Sequence, residues 1–179
     1  MMKTAFQFAL AFVVSAGVVC AQQQSPPAQA AVTISGKTIT IKYSAPSVRG
    51  REGHLFGPAG KISHDPNYPV WRAGANSATT LHTDADLDIA GLRVPAGTYT
   101  LFVLVEDPDA WQLIVNKQTG QWGLRYDQTQ DLGSVKMTMS KPPALVETLR
   151  YTLSDEGRGA GKLELAWEDH VASVPIAVK

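Results

Sequence analysis

Trp71, Arg72 and Asn76 stand within one short run, PVWRAGANSATTL, at residues 69–81. An indole, a guanidinium and an amide together suit a polar organic ligand, which needs a flat apolar surface and a few directed donors. A second run of this kind, QWGLRYD at 121–127, adds Trp122 and Tyr126, and Arg49 lies in YSAPSVRGR. These six residues form the candidate ligand-binding set. Trp71 and Trp122 pack against the ligand, Arg72 and Asn76 hydrogen-bond it, and Arg49 and Tyr126 sit at the rim. Arg72 has a second reading, as a loop clamp held by a carboxylate and backbone carbonyls. Trp111 and Trp167 fall in phase with apolar neighbours and read as core.

Other chemistries find less support. The four histidines, His54, His64, His82 and His170, show no H-x-x-x-H or cysteine–histidine spacing. The pairs His82/Asp84 and His64/Asp65 could each supply two ligands, but such neighbours arise readily by chance, so no metal site and no cofactor is assigned. GPAGKIS ends like a phosphate loop, but Ile62 replaces the magnesium-binding hydroxyl and no strand–loop–helix surrounds it. There is no G-x-S-x-G, and no catalytic residue is assigned. Asp84, Asp86 and Asp88 alternate along one run, which fits a solvated strand face better than a glycosidase pair. Two alternatives to a binding module stay open. One is a hydrolase with His54, His64 or His82 as base and Asp65 or Asp84 as partner. The other is a structural or interaction protein of the cell envelope.

The ends place these residues in a compartment. Lys3 precedes an almost continuously apolar stretch at residues 5–19, and Val19 and Ala21 satisfy the small-x-small cleavage rule. Residues 1–21 are therefore expected to be a secretory signal, making the protein periplasmic or extracellular. The stretch is shorter than the roughly 20 apolar residues of a spanning helix. Lipidation at Cys20 is the alternative, disfavoured by Val19 in front of it. After Ala21 no cysteine remains, so no disulfide supports the fold. A chain of this length needs none, since a domain near 150 residues buries about 70% of its unfolded surface. With 16 basic and 16 acidic residues and no basic block, nucleic acid is not an expected partner. The expected partner is a small polar ligand or glycan; no oligomeric state follows.

The elements that must carry the site are read from period-two alternation. KTITIKY puts Ile39, Ile41 and Tyr43 on one face; AWQLIVN groups Trp111, Leu113 and Val115; KLELAW groups Leu163, Leu165 and Trp167. VKMTM, LRYTL and SVPIAV alternate in the same way. TYTLFVLV, at 98–105, is apolar at its centre and reads as a strand covered on both faces. Turn signals recur about every 8–12 residues, and no window holds a full helix. An all-β antiparallel sandwich, jelly-roll-like, is expected over residues 32–179, after a flexible spacer at 22–31. Pro175 suggests that the last strand is an edge or carries a bulge. Residues 44–78, rich in Gly and Pro with no period, form one long irregular loop of the kind that carries function.

The succession YSAPSVRGR, VWRAGANSATTL, LRVPAGTYTLFVL, WQLIVNKQTGQWG and LAWEDHVASVPIAV resembles the secreted bacterial family called domain of unknown function 2911. The resemblance runs from about Val32 to Lys179 and implies an exported β-sandwich without an agreed activity. Two departures stand out: Ser77 where the family carries an acidic residue, and ISHDPNYP, which lengthens the loop.

Overall fold

The computed structural model describes residues 25–179; the expected signal segment and Cys20 lie outside them. The strands are β1 (Pro27–Ile34), β2 (Lys37–Ser44), β3 (Val70–Trp71), β4 (Thr79–Thr83), β5 (Leu87–Ile89), β6 (Leu92–Val94) and β7 (Gly97–Leu104). They continue as β8 (Gln112–Asn116), β9 (Asp131–Lys136), β10 (Thr138–Ser140), β11 (Val146–Gly157), β12 (Ala160–Glu168) and β13 (His170–Val178). One sheet runs β1-β2-β4-β7-β8-β9, with β3 also paired to β7; the other runs β11-β12-β13-β5-β6, with β10 also paired to β13. The sheets pack face to face as an antiparallel sandwich, as the alternation predicts. The helical content of the described residues is two short 3-10 turns, Lys61–His64 and Gln128–Gln130.

Alternation decides which side chains enter the core. Ile39, Ile41 and Tyr43 of β2 meet Leu163, Leu165 and Trp167 of β12 in one buried cluster. β7 lies between β4 and β8 and is buried on both faces. Leu101 and Val103 join the inter-sheet core, while Phe102, 1% exposed, is covered from outside by Tyr126. The continuous apolar centre of this strand is the consequence.

Two expectations need correction. Residues 27–31 are not spacer: Pro27 to Ile34 pair in unbroken register with β2, from Pro27↔Ser44 to Ile34↔Lys37. Ala28, Ala30 and Val32 pack against the core, but alanine buries too little surface to announce a strand, and the preceding prolines mask it. The hairpin turns at Ser35 and Gly36, both with positive φ (49° and 75°), the conformation that matches strand twist in two-residue hairpins. Pro175 is not on an edge strand, because β13 has neighbours on both sides. Its carbonyl accepts from Ala90 N–H, so its ring nitrogen points to that same side. There β10 stops opposite Ser173 and β5 begins opposite Ile176. The missing N–H falls in the gap between two short strands, where no ladder bond is lost.

The irregular segment has a simple origin. β3 and β4 lie along the same side of β7, with Trp71 opposite Val103 and Thr79 opposite Leu101. Residues 72–78 are thus a loop-out within what would otherwise be one strand. Ala73 and Asn76 adopt positive φ (50° and 58°) to make it. The loop-out is tied down by Ala75 N–H to Ser44 O, Ala78 N–H to Gln121 O and Gly123 N–H to Asn76 O. Ala73 O accepts from both the Thr79 and the Tyr151 hydroxyls, at 3.0 and 2.9 Å.

Candidate functional site

Between β2 and β3 the chain crosses the end of the sandwich. Its first part pairs with β11 through Val48 N–H to Glu147 O and Leu149 N–H to Pro46 O. Its middle is anchored by Phe56. This ring sits among four others: Trp111 at 4.7 Å, His170 at 4.8 Å, Trp71 at 5.5 Å and Trp167 at 5.8 Å between centroids. Trp71 stacks on Trp167 (5.6 Å, 14°) and Trp111 on His170 (5.0 Å, 12°). The box draws its rings from β3, β12, β13 and the residue before β8, so it also pins one sheet to the other.

Beside this box lies a cavity of about 280 Å³. Leu55, Ile62, Trp71 and Trp167 form its apolar wall, and Arg49, Arg51, Lys61 and Arg72 its cationic wall, with Asp65 the one acidic lining residue. Arg72 Nη2 reaches both Asp65 oxygens, at 3.2 and 3.1 Å, with side-chain exposures of 17% and 21% for the pair. Gly123 is packed so closely on the Arg72 stem that an added Cβ would stand 2.7 Å from Arg72 Cδ. Arg51 donates from Nε to Val48 O and from Nη2 to Ser47 O, both at 2.7 Å.

The six candidate residues separate. Arg49, Trp71 and Arg72 line the cavity. Trp71 is 2% exposed and has its ring in the aromatic box, so it offers no free platform. Asn76 donates to the carbonyl of Ser25, itself a lining residue, at 3.3 Å. Trp122 is half exposed and bridges to Ser77 through the backbone; it is not among the residues lining the cavity. Tyr126 is elsewhere, covering the outer face of the first sheet. Its hydroxyl donates to Asp131 Oδ2 at 2.6 Å, and Asn116 Nδ2 donates to Asp131 Oδ1 at 2.8 Å. Burial, then Asp131, pushes the Tyr126 phenol well above its ordinary range. Arg51 and Lys61 are the wall residues that sequence reading missed. Their only signal was membership of the same irregular loop.

The histidine and carboxylate groups behave as follows. His82 lies on the solvent face of β4, with Nδ1 2.9 Å from Thr98 Oγ1 and Nε2 3.1 Å from Asp84 Oδ1. The order Thr–His–Asp has the connectivity of a nucleophile, base and orienting acid. Both His82 and Asp84 are about half exposed (52% and 50%), so water is not excluded from a reaction there. His54 and His64 are exposed on the loop, and Asp65 is engaged by Arg72. Asp86 and Asp88 accept from the backbone N–H groups of Ala96 and Gly91 and pair with Arg93 and Lys179. They are turn-building groups.

One further cluster was passed over in sequence. Glu168, Asp169 and His170, at the β12–β13 turn, bring one ligand atom each within 4.8 Å of one another. Glu168 is 3% exposed, has φ of 55°, and already accepts from Gly53 N–H on the loop. Burial raises its carboxyl above the ordinary glutamate value, the Gly53 hydrogen bond opposing this. His170 Nδ1 lies 2.7 Å from Asp169 Oδ1 without the alignment of a hydrogen bond. Three donors on consecutive residues fall one short of a closed tetrahedral shell.

A family model described as "Protein of unknown function (DUF2911)" matches residues 25–176. No curated protein and no solved structure matches the chain. The matched span begins just before β1 and takes in both sheets up to Ile176 in β13, with the loop-out and the cationic wall.

Proposed function

The chain therefore belongs to the DUF2911 family, and we propose that it is an exported binding module. In this reading the cavity at the end of the sandwich takes a small polar organic ligand. One observation carries it: a cavity of about 280 Å³ joins an apolar wall to the guanidinium groups of Arg49, Arg51 and Arg72. This is the combination of concave apolar surface and few polar groups that defines small-molecule sites, and its size falls just below their roughly 300–1,000 Å³ range, which suits a small ligand. The wall offers donors and no free carboxylate, hydroxyl–imidazole pair or thiol, which favours holding a ligand over cleaving one. The half-exposed Thr98–His82–Asp84 set lies on an open strand face and gives hydrolysis weaker support. Export is supported by Lys3, the apolar stretch at 5–19 and the small residues Val19 and Ala21.

The reading is tested by thermal shift against a metabolite and glycan panel. A ligand at a hundred times its Kd adds about 2.7 kcal/mol, which for a domain of this size raises Tm by roughly 5–10 °C. Shifts that survive in an Arg72→Met, Lys61→Met variant would remove the cavity from consideration. Fractionation and N-terminal sequencing test export: a mature chain starting at Gln22 supports signal cleavage, and an acylated Cys20 supports the lipoprotein alternative.

A further inference from the structure

We infer that the ligand of this cavity is an anion: a carboxylate, sulfate or phosphate on a body no larger than about a monosaccharide. The inference deepens the binding-module reading and rests on it.

Charge carries the first part. Four cationic side chains and one acidic one line the cavity of a chain whose formal charge is zero. The single acid, Asp65, is engaged by Arg72 through Nη2. Arg51 spends two donors on the neutral carbonyls of Val48 and Ser47, which fix its fork without cancelling its charge. Lys61 makes no ion pair among the described residues. Arg93, Lys141, Lys162 and Lys179, by contrast, each meet a carboxylate on the surface. A concave surface of one sign, backed by apolar walls, concentrates its field on an entering counter-ion.

Ring geometry carries the second part. A neutral sugar gains much of its affinity by lying on an aromatic face. Trp71 and Trp167 use their faces on each other and on Phe56, and each is under 5% exposed. Affinity must then come from charge-assisted hydrogen bonds, for which guanidinium forks held in place lose little freedom on binding.

Calorimetry on the purified protein tests this with charge-matched pairs: glucuronate, glucose 6-sulfate and glucose 6-phosphate against glucose, and benzoate against benzamide, with inorganic sulfate and phosphate alongside. At least one anion should bind tenfold or more tightly than its neutral partner, and weaken when sodium chloride is raised. Which member wins distinguishes carboxylate from sulfate or phosphate recognition. Lys61→Met, which removes an exposed side chain and leaves the backbone bond to His54 O, should weaken that anion about tenfold, the scale of one charge-assisted hydrogen bond. Lys117→Met, away from the cavity, should not. Neutral partners binding as well as the anions would overturn the inference and leave the binding module standing. No binding by any member would sink both, and equal losses in the Lys61 and Lys117 variants would refute a local site.

Discussion

Replacing Phe56 by alanine should detach the loop from the sandwich while leaving both sheets in place. Phe56 is partly buried, so its transfer free energy is about 2 kcal/mol, less than the full value for a buried aromatic. It also touches Trp71, Trp111, Trp167 and His170 at centroid distances of 4.7 to 5.8 Å. Aromatic pairs contribute roughly 0.5–1.5 kcal/mol each beyond area, and pairs sharing one ring do not add fully. Together these give about 3–4 kcal/mol for Phe56→Ala, a large part of the 5–15 kcal/mol typical of a domain. Phe56→Leu keeps most of the apolar surface and should cost about 1–2 kcal/mol. Urea unfolding measures both, and near-UV circular dichroism reports on the three tryptophans of the box. Limited proteolysis should cut Phe56→Ala within residues 50–64 before either sheet is attacked. If Phe56→Ala cost under about 1 kcal/mol, with an unchanged near-UV spectrum, the ring box would not be the anchor of this loop.

Further outcomes follow from other contacts. In a double-mutant cycle Arg72→Met and Asp65→Asn should show a coupling of about 1–2 kcal/mol, more than an exposed pair because both side chains are largely covered; coupling near zero would deny the clamp. Glu168→Gln should gain stability relative to wild type as pH rises above about 4.5, the ordinary glutamate value. The folded carboxyl titrates higher than the unfolded one, so the wild-type protein loses stability across that interval and the amide does not. Parallel stability–pH curves for the two proteins would contradict this. A chain starting at Val32 should be several kcal/mol less stable than one starting at Ser25, because it loses five of the eight residues of β1; equal urea midpoints would restore the spacer.

The loop-out shows how far local pattern could carry the reading. PVWRAGANSATTL looked like a site because polar and aromatic residues crowd where alternation fails. In the fold it is a strand interrupted by seven residues, with Trp71 and Thr79 still facing β7 on either side. Trp71 is buried in the ring box and also lines the cavity, and Arg72 pairs with Asp65 on the same wall. Tyr126 carried the same residue-type signal as Arg49 and belongs to the cover of the first sheet. Arg51 and Lys61 carried almost no signal and line the cavity.

The sequence by itself determined the sandwich, its central strand and most of its core, because side-chain alternation along a strand is a local property written in consecutive residues. It also determined that the fold stands without disulfides after Ala21 and that residues 44–78 would be largely irregular, the short β3 and one 3-10 turn apart. Only the tertiary structure decided that Ala28 and Ala30 begin a strand, that Pro175 sits in a gap between partners, and which cations share a cavity. Those facts depend on contacts between residues far apart in the chain. The Phe56 box sets one such group by pulling the loop across the end of the sandwich, and that bend brings Arg49, Arg51, Lys61 and Arg72 to one wall.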